Sequence, residues 1–394
     1  MVLIKINNVD CFCGQNYDSH IFINEKECIE KCIKLKCNVF IIFQNIVYYR
    51  SQPIKECIMS LVNCNFDTNL YIYIPDNFES YYNDIPKRVK CYTTGIYNLP
   101  CTYNNLRYDK EKLNSNLQSL TNKTWTYEHN SNLLKFLEEE DFKFAFDPYD
   151  NFGSMNIPTF VKSRNKETPK KSILLPLENL YIPNYYVDIL NSDIPFNKKK
   201  KSCVWRGVNS GRFYAINKEK ASREDLVLKH GKNDNYNIGL SCAIYKLENE
   251  NMTYKCKDIS YNIEEYVKGN LTIKQQLEYM FIISVEGNDF ATNLSWIMLS
   301  NSVPLMPIPY VETWKMESEL VPYIHYVPLN NDFSDLDEKM EWCTNNIDKC
   351  EEIAYMSKLY ILQFFDKNKE KDIIKEVINI YKKNVICDIS NTST

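Results

Sequence analysis

The sequence predicts an α/β protein: two α/β lobes in series, a small cysteine-rich module ahead of them, and helices at the C-terminus. Three observations carry this. First, residues 281–327 read as strand, polar turn, helix and second strand. Phe281 to Val285 is a short apolar run rich in β-branched residues, the mark of a buried strand. Glu286, Gly287, Asn288 and Asp289 break it, Ala291 to Ser300 has helical spacing with Leu294, Ile297 and Met298 on one face, and Val303 to Met306 is apolar again. A strand–helix–strand unit of this length implies parallel strands joined by a right-handed crossover. Second, CVWRG (203–207) is a strand entering a glycine turn and opens a lobe of its own. Third, nine of the 15 cysteines fall at or before Cys101, including Cys28 and Cys32 one helical turn apart and Cys37 just after them.

The remaining elements follow in order. Residues 1–78 form the cysteine-rich module, ending in the strand-like LYIYIP. Its thiol density suggests a small unit held by disulfides, or by buried free thiols, rather than a zinc site, because paired CxxC spacing is missing and only His20 lies nearby. The helix with Cys28 and Cys32 followed by Cys37 on an apolar strand weakly resembles a PAN/apple-like module. Residues 79–197 make the first lobe: helix over 113–140 with a break near Asn122, a strand at Phe142–Phe146 stopped by Asp147-Pro148-Tyr149-Asp150, then short strands at Thr159–Val161 and Ile173–Leu175. Lys198 to Lys201 reads as a solvated linker. Residues 198–366 make the second lobe, with a helix over SREDLVLKHG begun by Ser222 and ended by Gly231. Leu271 to Met280 reads as helix, Ile324 to Val327 as strand, and 334–342 and 348–365 as helices. Residues 367–394 carry a last helix that crosses back toward the first lobe.

Composition narrows the function. The chain has 394 residues, 44% of them hydrophobic, enough for several cores. A net charge of −4 argues against a nucleic-acid partner. No apolar run approaches the ~20 residues of a membrane span, and the N-terminus lacks the apolar core of a signal peptide. A cytoplasmic protein is expected. The 29 tyrosines, with abundant Asn, Lys and Ile, read as the coding bias of an AT-rich genome rather than as sugar platforms. Walker, GxGxxG, GxSxG and HExxH patterns are absent. Ligands of parallel sheets bind beyond the carboxyl ends of strands, and the cluster Glu286–Asp289 falls at such an end.

The strings EGND (286–289), ATNLSW (291–296), SNS (300–302), ETW (312–314), HYVP (325–328) and DFSDL (332–336), with WRG (205–207) and Arg212 upstream, resemble the CAP10-like glycosyltransferases of family 90, above all the bacterial and viral lipopolysaccharide- or capsule-type branch. The likeness spans about residues 140–365. It implies a GT-B fold, two Rossmann-like lobes facing across a cleft. It implies an inverting, metal-independent transfer of glucose or xylose from a UDP-sugar to a glycan, lipid-linked saccharide or glycoprotein hydroxyl, with no cofactor beyond that donor. It places the protein in the host cytoplasm or virion if the source is viral.

Such a transfer needs a carboxylate to take the acceptor proton and donors to neutralise the leaving diphosphate. The family's base is an Asp just after a strand of the first lobe, where Asp147 and Asp150 stand. Arg206, beside Gly207, and Arg212 are the candidate grips for the diphosphate. Gly287 lets backbone approach a ligand, Asn288 and Asn293 offer amides to phosphate or sugar, Asp289 caps the following helix, and Glu312 accepts from ribose hydroxyls. The animal branch has Arg where this chain has Asn293, and Met280 replaces a basic residue common before the strand. A non-catalytic carbohydrate-binding protein on the same scaffold is the alternative reading. A glycoside hydrolase is disfavoured, since no motif supplies two opposed carboxylates. His325, within YIHYV, and Trp205, Trp296 and Trp314 read as core or anchoring residues.

Overall fold

The computed structural model describes residues 2–11, 16–64, 67–74, 82–96, 101–103, 106, 108–119, 125–137, 142–147, 149, 155–166, 171–177, 183–211, 221–244 and 262–387. The contacts gather into two units. Residues 1–82, 183–309 and 320–365 form one, and residues 83–182, 310–319 and 366–394 form the other.

The first unit opens with an antiparallel sheet of β1 (Val2–Asn7), β2 (Asn16–Ile21), β3 (Val39–Phe43), β4 (Ile46–Arg50) and β5 (Thr68–Ile74). Their spatial order is β1-β5-β3-β4-β2, and every pairing is antiparallel. Gln44 and Asn45 both take positive φ, 48° and 65°, the backbone that a two-residue hairpin requires between β3 and β4. Helix α1 (Glu25–Leu35) starts at Asn24, whose side chain accepts the Glu27 N–H at 3.0 Å, and ends with Lys36 at φ 56°. Its Cys28 and Cys32, with Cys37, pack against Phe40, Tyr49 and Tyr71. These thiols are free, as are Cys11, Cys57 and Cys64. Here the cysteines act as small apolar core residues rather than as disulfide staples.

The second unit holds a small parallel sheet of β6 (Ala145–Phe146), β7 (Thr159–Val161) and β9 (Ser172–Leu174), ordered β9-β7-β6. Between them, β8 (Ser163–Asn165) pairs antiparallel with the strand Val311–Thr313. The closing helix Lys367–Asn384 belongs to this unit. Its Tyr381 stacks on Phe160 at 4.4 Å, donates to Pro158 O and accepts the Ala145 N–H. Fully buried Arg88 grips Glu370 through two bonds of 2.6 Å, which ties that helix down.

The first unit then continues with a parallel sheet: β10 (Lys200–Gly207), β11 (Asn237–Leu240), β12 (Tyr279–Ile283), β13 (Val303–Pro307) and β14 (Val327–Leu329). The order is β11-β10-β12-β13-β14, all parallel. Near-continuous burial of β12 and β13 explains why both read as unbroken apolar runs. This is a Rossmann-like arrangement, and the parallel strand–helix–strand reading of 281–306 holds. Details differ. Strand β12 lies two residues earlier than expected, because the Val285 carbonyl is taken by an arginine rather than by a neighbouring strand. Leu271 to Met280 is mostly not helix: only Ile273–Gln276 is helical before β12 begins. The lysine run is not a linker. Lys199 is buried on Asp193 and on Leu277 O at 2.5 Å, and Lys200 begins β10. Trp205, Trp296 and Trp314 are all buried, as expected. So is His325, whose Nδ1 accepts the Val321 N–H at 2.9 Å and anchors that loop.

Candidate functional site

In the parallel sheet the chain lays β11 on one side of β10 and β12 on the other. The direction of winding reverses between β10 and β12, and open α/β sheets bind ligands beyond the carboxyl ends at such a switch point. The loops leaving these strands, 208–211 and 284–290, meet there. Gly211 has φ +88°, and a Cβ on it would lie 2.5 Å from the Gly287 carbonyl oxygen. A Cβ on Gly287 would lie 2.6 Å from Ser210 Oγ and 2.9 Å from Arg223 Nη2. At Gly211 backbone stands in the way of any side chain, whereas at Gly287 a side chain would displace the Ser210 hydroxyl and the Arg223 guanidinium. Asn288 Oδ1 accepts the Gly211 N–H at 2.8 Å, and the Gly287 N–H reaches Asp289 O at 3.0 Å, which closes the bend.

Arg223 holds the two loops together. It is the first residue of helix α2 (Arg223–His230), capped by Ser222, which accepts the Glu224 and Asp225 N–H groups. Its Nε and Nη2 donate to Val285 O at 3.1 and 2.9 Å, and its Nη1 to Val208 O at 3.2 Å and Ser210 Oγ at 2.8 Å. Burial pulls its pKa down to about 10, against the opposing charge of Glu286, so it is cationic at neutral pH. Buried Asn209 braces the first loop by donating to Glu224 and accepting the Ile244 N–H. The sequence reading passed over Arg223. One signal was present: a cation at a helix N-terminus opposes the macrodipole and calls for a tertiary reason.

The expected site residues divide. Gly287, Asn288 and Asp289 sit together at the bend, with the glycine after WRG that meets them being Gly211. Gly207 ends β10, and a Cβ there would lie 2.8 Å from the Trp205 ring, so its smallness makes room for that indole. Asn293 turns inward: its Nδ2 donates to Ile283 O and its Oδ1 accepts from Ser284 Oγ. Asp289 is buried in the bend and does not cap the helix, which is α3 (Leu294–Leu299), begun at Asn293 without a side-chain cap. At six residues, α3 contributes little macrodipole to an anion. Arg206 folds back along the sheet. Its Nη1 donates to Trp205 O and Asn237 O and its Nη2 to Asn237 Oδ1 at 2.6 Å, while burial lowers its pKa. It stitches β10 to β11. Arg212 and Asp150 lie outside the described residues.

Asp147 and Glu312 belong to the second unit. Asp147 follows β6 at the carboxyl end of a parallel strand, gives its N–H to Phe160 O and accepts the Tyr149 N–H through Oδ1 at 2.9 Å. The residue as a whole is half-buried. Glu312 is buried in an ion pair with Arg164, at 3.1 Å from Nε and 2.7 Å from Nη2, and also accepts from Ser318. Its carboxylate is an internal tie of that unit.

Among the described residues no helix is long and apolar enough to cross a membrane, and no group of three His, Cys, Asp or Glu side chains is arranged to hold a metal.

Comparison with known proteins converges on one family. Residues 185–391, which include the whole glycine crossing, match the glycosyl transferase family 90 model. The O-glucosyltransferase LpsA of Dichelobacter nodosus is 32% identical over 209 residues, 53% of this chain and 57% of LpsA. Uncharacterized protein 179R of Invertebrate iridescent virus 6 is 29% identical over 234 residues, 55% of this chain and 19% of the viral protein. Human protein O-glucosyltransferase 3 is 34% identical over 83 residues, 21% of this chain and 16% of the human protein. The aligned stretches thus span little over half of LpsA and less than a fifth of the other two. With a family model covering more than half of its residues and the strand-end bend inside the match, the chain belongs to glycosyl transferase family 90.

Proposed function

We propose that this protein is an inverting, metal-independent glycosyltransferase that moves a sugar, glucose or xylose, from a UDP-sugar to a hydroxyl of a glycan or glycoconjugate. The observation that carries the reading is the side-chain-free crossing of Gly211 and Gly287 at the switch point. Backbone laid open in this way suits a diphosphate, which needs N–H donors at close range. Asn288 spends its oxygen on Gly211, so its Nδ2 donors are the ones to offer a phosphate oxygen. Arg223 adds positive charge at the bend through the backbone it grips. Arg212 is kept as a direct diphosphate ligand. Arg206 is not, since its guanidinium is committed to Asn237.

In this reaction a carboxylate takes the proton of the acceptor hydroxyl as that oxygen attacks the anomeric carbon. The bond to the diphosphate breaks, UDP departs with the electron pair, and configuration inverts. Asp147 and Asp150 are the candidate bases, and Asp147 is the one whose place after β6 the structure describes. The O-glucosyltransferase names of LpsA and the human relative support a glucosyl donor.

The test is UDP release from UDP-glucose and UDP-xylose in the presence of a glycan acceptor, for the wild-type chain and for Asp147→Asn. Turnover that falls at least ~100-fold in the variant, the usual weight of general base catalysis, is the expected result. Unchanged turnover removes Asp147 as base. Glycan binding with no UDP release from either donor favours the non-catalytic carbohydrate-binding reading.

A further inference from the structure

The N-terminal sheet leaves β2 as an outer strand, paired only with β4 among the described residues. Of its six residues only His20 is partly covered. Large exposed hydrophobic side chains concentrate here. Nine such residues occur among those described, and five of them, Tyr17, Ile21, Ile23, Ile33 and Ile46, belong to this strand, to α1, to the turn between them and to the start of β4. Ile21 is 68% and Ile23 65% exposed. They border an open groove of about 700 Å³ whose rim on α1 runs from two acids, Glu27 and Glu30, to two bases, Lys31 and Lys34. An apolar strip of this kind on a sheet edge marks an interaction surface.

The hydrogen-bond parity of β2 is determined. Phe22 N–H donates to Asn45 O, so the even-numbered residues bond inward to β4 and the odd ones face outward. Two local bonds agree. The Ser19 N–H is held by the Asp18 carboxylate at 2.7 Å, and the Ile21 carbonyl lies 2.8 Å from His20 Nδ1. Both are backbone groups turned away from β4 and covered only by side chains of their own strand.

We propose that this edge joins two copies of the chain, β2 pairing antiparallel with β2 of the second copy about Ser19. The strand is its own complement in that register. Ser19 meets Ser19, Tyr17 meets Ile21, and Asp18 meets His20, an apolar pair and an acid–imidazole pair of the kinds that stabilise cross-strand neighbours. The outward residues 17, 19 and 21 are the ones that must bond across. Ile46, opposite Ile21 on β4, extends the apolar strip. Asp18 keeps Lys31 of its own chain at 2.6 Å while releasing Ser19. The register shift between Asn16 and Asp18 makes Tyr17 a bulge residue, which limits the pairing to one short ladder and so to a dimer instead of a fibre. A two-fold reverses the α1 rim, so its acidic end, Glu27 and Glu30, is set against the basic end, Lys31 and Lys34, of its image.

Sedimentation equilibrium of the full chain over micromolar concentrations tests this. The wild type sediments as a monomer–dimer system. Ser19→Pro removes an outward N–H, not a bond to β4, and Ile21→Lys places charge in the apolar strip. Each raises the dimer dissociation constant at least tenfold, about 1.4 kcal/mol, with an unchanged melting temperature reporting an intact fold. A monomer at all concentrations overturns the proposal and is what a different protein as occupant would give. A dimer that both variants leave unaltered also overturns it.

Discussion

Replacing Gly211 by Ala tests the crossing on which the donor site depends. Two costs arise. The residue sits at φ +88°, where an L side chain costs roughly 1–2 kcal/mol. The new Cβ would also stand 2.5 Å from the Gly287 oxygen and 2.6 Å from its carbonyl carbon, where ordinary contact begins at 3.4 Å. Those atoms are backbone of a bend closed by the Gly287 N–H on Asp289 O and flanked by Arg223 on Val285 O, and overpacking of this kind costs a further 1–3 kcal/mol, approximately. The total is about 2–5 kcal/mol, or roughly 4–20 °C in melting temperature for a domain of this size. Gly269 supplies the control. Its φ is +76° but nothing lies within 4 Å of an added Cβ, so Gly269→Ala carries only the backbone cost. Thermal melting and UDP titration of both variants separate the terms. Gly211→Ala melts well below Gly269→Ala and loses UDP affinity, whereas Gly269→Ala keeps it. Equal melting temperatures with equal UDP binding would refute the close approach.

Two further outcomes concern internal ties. Arg164→Ala strands the Glu312 carboxylate in a buried site and lowers unfolding free energy by about 3–5 kcal/mol in urea titration, while the double change Arg164→Met with Glu312→Leu recovers most of it. His325 is held neutral because burial lowers its pKa to about 4, below the 6.5 of the unfolded chain. The unfolded state therefore binds more protons between those values, so stability from this residue is full above pH 6.5 and is lost as pH falls toward 4, by about 3 kcal/mol in all. His325→Asn flattens that slope in urea titrations at pH 4.5 and 7, and an unaltered slope would count against the assignment.

Local signals announced much of the second-lobe sheet. FIISV, the EGND break and the following apolar run are dictated by burial on both faces and by glycine and asparagine punctuation, and they gave a parallel pair close to its true position. Residues whose roles come from distant partners were not readable. Arg223 looks like any charged residue opening a helix, since nothing nearby in sequence reveals that it meets Val285 and Val208 carbonyls. Glu312 reads as a ribose acceptor because acidic residues often serve so in nucleotide sites, yet its strand pairs with β8 and its carboxylate meets Arg164. The helix after the bend begins at Leu294, three residues later than its spacing predicts, behind Asn293, whose amide turns back to Ile283 O while its carbonyl accepts the first helical N–H, from Ile297. In the N-terminal module, cysteine spacing alone could not separate a disulfide from a buried thiol; the structure leaves Cys28, Cys32 and Cys37 as free thiols within the apolar cluster.

Amide hydrogen exchange with and without saturating UDP addresses the central claim most directly. If the diphosphate lies where Gly211 crosses Gly287, peptides covering 205–211 and 284–290 slow on UDP addition beyond the rest of the parallel sheet. Exchange at those two segments unmoved by bound UDP, with protection elsewhere, would contradict the account.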